Sequence, residues 1–591
     1  MGGIVAVIGQ PGDPEPAERL GRMLARSSDR GAATRWMGDG IALGVQSLGW
    51  DASLAESATL VTAFHGWVGN WDEVAVATGL RWEAGTAAAA RIGAAFERLG
   101  VGLFARLRGE FAVLILDRGT RALVAARDVV GARPLFFHAE RGRTFVASEI
   151  RQVLAGSGSA PALNEPFLAD ALANRFEARE DTLYAGVSRV IPGHAYSLGR
   201  GPCETLRRDS YWQPPEEDRS RGRDGAALAE ELRATLERAV KRALARRPGA
   251  VALSGGMDST TVWALARAMR ADQVSAVSMV FPGMECDESA HIRSVLALTG
   301  GDGSFVDAAA IRPYEAIEPL AEEVDELFVP TLYHLRILAG AALEQGRDVL
   351  YLGLGGDEWL SGSPTYLGDE LRRGRLLRVL RDGATLPLGR GRTRARLLLR
   401  HTLLRPGGLE WRRDRALPAW LHRSRRQALL RDRRPSATSR ARSELAATLS
   451  THRGANYFGA VEQLAARCRV EVRCPLNDLD LIEFAFRTPG RAFVGGRAPK
   501  HLVRRGMASL LPVDVIARRG RTEFSEPFRR DVAEVARRVN TASWRLVELG
   551  IVVPAEIERL RKLIAERGEL DHEGAFTNLW NAERVCAKFR T

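Results

Sequence analysis

Lysine is nearly missing from this chain: of 85 basic residues only Lys241, Lys500, Lys562 and Lys588 are lysines. None follows a glycine, so the Gly-Lys pair of a Walker loop is absent and that way of holding phosphate is excluded. Cysteine is sparse too. The five present (Cys203, Cys286, Cys468, Cys474 and Cys586) are scattered and form no CxxC pair. That spacing excludes a zinc ribbon or a disulfide framework and fits reduced thiols in a cytoplasmic protein. No run approaches the roughly 18 apolar residues of a membrane span, so a membrane partner is not expected. The opening MGGIVAVIGQ is short and uncharged, unlike a signal peptide.

What is present fits two or more soluble domains: 591 residues, 45% hydrophobic and 27% charged. The central stretch is AVALSGGMDST, residues 250–260. Its apolar start reads as a buried strand, its serine-glycine segment as a turn, and Thr260–Met269 as a helix. Such a turn aims backbone N–H groups and a positive helix end at one point, which suits an anion. Asp258 beside a phosphate implies a cation between them, and Mg²⁺ is the expected one. The plainer reading is an ordinary strand-to-helix turn. The segment resembles the SGGxDS loop of the ATP-pyrophosphatases, which grip pyrophosphate while a nucleophile attacks the α-phosphate of ATP.

The first 200 residues alternate short apolar segments with a few helical runs such as 87–99, the pattern of an α+β sandwich. LRGEFAVLILDRGTRALVAARDVVGARPLFF (107–137), FVASEI (145–150) and DTLYAGVSRVIPGHAYSL (181–198) resemble the glutaminase domain of asparagine synthetase. That resemblance implies an N-terminal-nucleophile (Ntn) sandwich over residues 1–205. Yet the family begins Met-Cys-Gly-Ile, whereas this chain begins Met1-Gly2-Gly3-Ile4. Glycine has no side chain to attack glutamine, and none of the five cysteines lies in the first 200 residues. Glutamine hydrolysis is therefore not expected.

Residues 201–225 are polar and read as a linker anchored by Tyr211-Trp212. Beyond it, buried strands at 250–253, 274–281 and 348–352 alternate with helices, which predicts a doubly wound parallel sheet over residues 206–591, with helical additions. GLGGDE (353–358) follows the last of these strands and resembles the synthetase GEGADE, in which the Asp is the second Mg²⁺ ligand. The resemblance implies Asp258 and Asp357 as metal ligands. It implies Leu253, Ser254, Gly255, Gly256, Asp258, Ser259, Met279 and Gly353 for ATP. Taken alone, GLGGDE is equally an acidic helix start. Leu354 stands where asparagine synthetases have Glu and β-lactam synthetases have Tyr, so both recognition patterns are broken.

VEVRCPLNDLDLIEFAFRTP (470–489), PKHLVRR (499–505) and LPVDVIARRGRTEF (511–524) resemble the later motifs of the same family. They imply Arg521, in the place of a family Lys, and Lys500 as catalytic charges, together with Asp357. Arg cannot shuttle a proton but can hold phosphate charge; the plainer reading of both is surface charge.

Residues 371–443 hold 22 arginines and four acids, so this insertion carries +18 and the remainder −5 of the net +13. Arginine-rich amphipathic runs at 372–380 and 394–404 predict helices. They read as a solvated face, as a clamp for an acidic or extended peptide or, with few interleaved aromatics, less readily as a nucleic-acid surface.

The resemblance thus implies an ATP- and Mg²⁺-dependent ligase in which a carboxylate is adenylated and then captured by an amine. Without glutaminase chemistry the amine comes from the substrate, as in β-lactam synthetases and in lasso-peptide cyclases, which close a macrolactam between an N-terminal amine and an Asp or Glu side chain. Leu354 and the basic insertion point to the cyclase. A core peptide is then the expected substrate, accompanied by a leader peptidase and a leader-binding protein. The alternatives are a β-lactam synthetase-like or asparagine synthetase-like ligase using another amine, and, in a different class, an inactive peptide-binding scaffold.

Overall fold

The computed structural model describes residues 2–49, 51–173, 180–198, 206–218, 225–245, 247–386, 417–431, 440–450, 452–494, 499–518, 520 and 522–589. Its N-terminal part is two six-stranded antiparallel sheets face to face. One sheet runs, in spatial order, Ser188–Arg189, Phe136–Glu140, Arg143–Ala147, Gly3–Ile8, Ile41–Ser47 and Ala32–Gly38. The other runs Arg207–Ser210, His194–Leu198, Leu123–Arg127, Gly109–Asp117, Leu60–Val68 and Ala52–Glu56. Between them Ile4, Ala6, Leu43, Val61, Leu114 and Val146 form a dry layer. Helices Pro16–Ala25 and Ile150–Ser157 cover the first sheet, and Ala88–Leu99 covers the second. The stretch expected to be a linker starts as an edge strand, because Arg207–Ser210 pairs with His194–Leu198.

The second part is the expected parallel sheet with helices around it. Its order is Gly303–Asp307, Val274–Val280, Gly249–Ala252, Val349–Tyr351 and Glu471–Arg473, with every neighbouring pair parallel. From Gly249–Ala252 the chain builds outward on one side, then returns to build on the other. The order therefore reverses between Gly249–Ala252 and Val349–Tyr351, where Ala250 faces Leu350. In open α/β sheets, ligands lodge beyond the strand ends at such a reversal. Both sequence loops singled out above, 254–259 and 353–358, leave from these two strands.

The two parts share one core. A single apolar cluster runs from Val5, Leu20 and Ile150 of the sandwich to Ala250, Tyr333 and Leu464 of the second part. Buried ion pairs accompany it. Arg30, wholly inaccessible, pairs with Glu149 and with Glu462, 2.7 Å away on helix His452–Arg467. Glu110 of the sandwich accepts from the backbone N–H of Cys474, at 3.0 Å, just after the fifth parallel strand.

In the basic insertion the first amphipathic run is not one helix. Helix Tyr366–Arg372 ends, Gly374 takes a φ of +73°, and a new helix spans Leu376–Thr385. Glycine tolerates that left-handed turn and so sets the break. Arg373, Arg375 and Arg378 turn back on the buried Glu370 at 2.9, 3.2 and 2.9 Å. The second run, 394–404, lies outside the described residues.

Candidate functional site

The strand Gly249–Ala252 is buried because both its neighbours hydrogen-bond it and helices cover both faces. The turn that follows closes on itself. Ser254 N–H donates to Ser259 Oγ (3.0 Å), Ser259 Oγ donates to Ser254 O (3.0 Å), and the two hydroxyl oxygens lie 2.9 Å apart. Thr260 Oγ1 donates to Gly256 O at 2.6 Å. The two serines therefore shape the loop as well as lining it. Helix Met257–Met269 starts immediately, with Asp258 in its first turn.

The loop 353–358 presses against this turn. A Cβ at Gly356 would come within 2.1 Å of Asp258 Cγ, and one at Gly353 within 2.7 Å of Ser259 N. Only glycines allow this approach. It brings Asp258 and Asp357 to one point, marked by the Lys500 ammonium, which pairs with Asp258 Oδ2 and, at 2.6 Å, with Asp357 Oδ1. Lys500 arrives from just before helix His501–Gly506, in a left-handed conformation with φ +58°. Burial pushes the Asp258 carboxyl up to about 6, and Lys500 opposes that shift. Its Oδ1 is buried and has no hydrogen-bond partner.

These residues border a cavity of about 210 Å³ lined by 254–259, Glu288, Asp357, Lys500, Arg504, Arg518 and Phe524. Ser254, Gly255, Gly256, Asp258, Ser259, Asp357 and Lys500 all reach it, as the sequence suggested. Leu253, Gly353 and Met279 are not among the lining residues: Leu253 is buried in the core, Gly353 lies against Ser259, and Met279 packs beside Phe281 and Phe524 in a neighbouring apolar cluster. Arg521, and Arg519 beside it, lie outside the described residues. Arg518 is the arginine of that motif seen in the wall. It donates to Gly255 O at 2.9 Å and pairs with Glu288 at 2.6 Å, while Thr522 donates to Glu288 at 2.7 Å. Nothing in the sequence ARRGR distinguishes it from its neighbours. Arg504, four residues after Lys500 in PKHLVRR, donates to the backbone oxygens of Pro499 and Ile516 at 2.8 and 2.6 Å. Leu354 packs against both large cores and offers the cavity no polar atom.

A profile for the Asparagine synthase family matches residues 231–587, and one for a Glutamine amidotransferase domain matches residues 1–212. The chain belongs to the asparagine synthase family. Among curated relatives, amidase chyE of Penicillium rubens is 32% identical over 298 residues, 47% of this chain and 43% of that one. A glutamine-hydrolysing asparagine synthetase, number 3 of Bacillus subtilis, is 27% identical over 162 residues, 27% of this chain and 26% of its own. The chain thus spans less than half the length of these relatives. A solved structure of the allosteric regulatory enzyme of purine biosynthesis aligns at 13% identity and a TM-score of 0.28, over 51% of this chain and 80% of that one, too slight to carry an argument.

In this asparagine synthase family member the nucleophile position of the N-terminal domain is closed. Gly2 N–H donates to Asp51, and Gly2 O accepts from Arg30. A Cβ at residue 2 would lie 2.5 Å from Gln46 O and 2.7 Å from the Ala52 methyl. The cysteine of the family pattern is absent, and so is the room for it. Arg30, in the SDRGA turn, is committed to Glu149 and Glu462.

Mg²⁺ is tested by the donors present. Among the described residues no cluster of three or more His, Cys, Asp or Glu could cage a metal. Mg²⁺ bound through one or two carboxylates and substrate phosphates needs no such cage. Asp258 with its orphan oxygen, and Asp357 across a shared cation, suit that mode.

Proposed function

We propose that this chain is an ATP-dependent carbon–nitrogen ligase that adenylates a carboxylate and joins it to an amine brought by the substrate, closing a macrolactam in a peptide. The observation that carries the first half is the convergence of Asp258, Asp357 and Lys500 beside the glycine turn. The closed position at Gly2 supports the second half.

In this reading the triphosphate lies in the cavity, its phosphates against the N–H groups of 255–257 and the start of helix Met257–Met269. Asp258 and Asp357 would hold Mg²⁺, which when bound offsets the charge of the pyrophosphate. Lys500 and Arg518 supply fixed positive charge as a substrate carboxylate oxygen attacks the α-phosphorus and the bond to pyrophosphate breaks. The amine then attacks the acyl carbon, AMP departs with the bonding pair, and the amine's proton passes to solvent. The side chains position and neutralise; none forms a covalent bond. Leu354, packed against the two cores where asparagine synthetases have Glu, offers no carboxylate, which favours a substrate other than aspartate.

The test uses purified full-length chain, ATP, Mg²⁺ and a short precursor peptide with an acidic residue near its amine end. The expected product is the peptide less one water, linked from its N-terminal amine to an Asp or Glu, as read by tandem mass spectrometry. Asp258→Ala and Asp357→Ala are each expected to lower pyrophosphate release about 10²-fold or more. A product with a free N-terminus, full activity on a free amino acid, or near-normal turnover in either variant would overturn the reading.

A further inference from the structure

A second cavity, of about 180 Å³, opens beside the first and shares Asp357 with it. Trp359, Leu445, Ala485, Phe486 and Phe493 make its walls, from three separate pieces of chain. Trp359 is held by its indole N–H, which donates to Asn477 Oδ1 at 3.1 Å, so this wall is fixed. Phe486 lies under the Arg442 guanidinium, 5.4 Å from its ring centre. An enclosed volume of about 150 Å³ accommodates a benzene ring. The space therefore suits one aromatic or branched aliphatic side chain, not a length of peptide.

Charge decides what accompanies that side chain. Glu217, Asp357 and Glu358 face this cavity together with Arg442; Arg373 pairs with Glu217 and Lys500 with Asp357, whereas among the described residues no ion pair neutralises Glu358. Arg442 donates to Pro214 O at 2.8 Å, which holds its guanidinium against Phe486. Glu217 is 3.1 Å from Arg373, and one oxygen of Glu358 accepts from Gly355 N–H at 2.9 Å. An incoming carboxylate would meet Glu358, which no cation pairs, whereas an ammonium would find an acceptor there.

We infer that this cavity is the amine-donor subsite, taking the first residue of the substrate by an apolar side chain seated between Trp359, Leu445 and Phe486, with its ammonium toward Glu217 and Glu358. This rests on the ligase reading, and it gives that reading a direction. The amine approaches from the Asp357 side and the acyl phosphate lies across it, so the helix Arg440–Ser450, which contributes Leu445, sets which first residue is accepted.

Phenylalaninamide, N-acetylphenylalaninamide and glycinamide are the probes, titrated into the full chain by saturation-transfer NMR with and without ATP and Mg²⁺. Phenylalaninamide should show transfer to its ring protons. Acetylation, which removes the charge, and loss of the ring in glycinamide should each weaken binding about tenfold or more. Leu445→Trp, which fills the space, should abolish ring transfer while ATP binding is kept. Glu217→Gln should weaken the charged probe and leave the acetylated one unchanged. Equal binding of the acetylated probe, or phenylalaninamide binding untouched by Leu445→Trp, overturns the inference. The probes need no turnover, so a chain that releases pyrophosphate but binds no amine defeats only this inference. One that binds the amine but never cleaves ATP defeats the ligase reading instead.

Discussion

Residue 2 shows how one missing side chain is absorbed by its surroundings. Gln46 O and the Ala52 methyl stand where a Cβ would go, and Asp51 and Arg30 bind the backbone on either side. Gly2→Cys is therefore expected to lower thermal stability, since overpacking costs about 1–3 kcal/mol. It should also release no glutamate from glutamine, measured with a coupled dehydrogenase assay; appreciable release would show that the pocket opens. Lys500 makes a second point. The motif PKHLVRR points to it, as does the scarcity of lysine, and it lies between both acids. Arg518 was not singled out. It is one of 81 arginines in the chain and lies outside the arginine-rich insertion, and its approach to Gly255 and Glu288 is what distinguishes it.

The two phosphate-side loops were legible because their chemistry is local. A strand, a glycine turn and an acid occupy consecutive residues, so residue type alone reports them. The same holds for the strands Gly3–Ile8, Val274–Val280 and Val349–Tyr351, each an apolar run. That the loops meet follows from the resemblance, which gives Asp258 and Asp357 to one metal site; residue type alone does not report it, because it depends on a sheet order in which strands a hundred residues apart become neighbours. Gly356→Ala tests that contact. Its methyl would enter the space of the Asp258 carboxyl, 2.1 Å from Cγ. The variant should keep its fold by circular dichroism yet lose pyrophosphate release about as severely as Asp258→Ala. Near-normal release would mean that the loops can part without cost. The arginine-rich run misled for a related reason. Its periodicity is helical throughout, but Gly374 turns the chain, and three of its arginines are spent on the buried Glu370 rather than on a ligand.

Across the whole molecule the sandwich and the parallel sheet are joined by buried charge. Burial alone would raise the Glu149 carboxyl, but Arg30, Arg467 and Arg151 outweigh it and hold it well below the usual 4.5. Arg473 and Arg247 likewise overcome burial and hold Glu471 at about 2. Groups depressed in this way stabilise the fold fully above the unfolded value near 4.5, and that support is lost as pH falls toward 2. Arg467→Ala removes one partner of Glu149 and is expected to cost about 3 kcal/mol at neutral pH. It should also move the acid-unfolding midpoint upward, followed by tryptophan fluorescence; an unchanged midpoint would show that Arg30 and Arg151 hold Glu149 without it. None of this joint was visible in the sequence. Arg30 and Glu462 are 432 residues apart, and no motif announces that they meet.

That joint bears on inheritance. A chain that takes its amine from the substrate, as proposed above, has no use for an ammonia source, and its gene could be expected to shed the codons for one. Here, cutting away the sandwich would leave Glu462 facing water without Arg30, Asp325 without Arg151, and Cys474 N–H without Glu110. A shorter descendant would have to replace several partners at once, so each intermediate deletion is worse than none. The front third of this chain is to the rest as masonry is to a rebuilt house: the other walls stand on it.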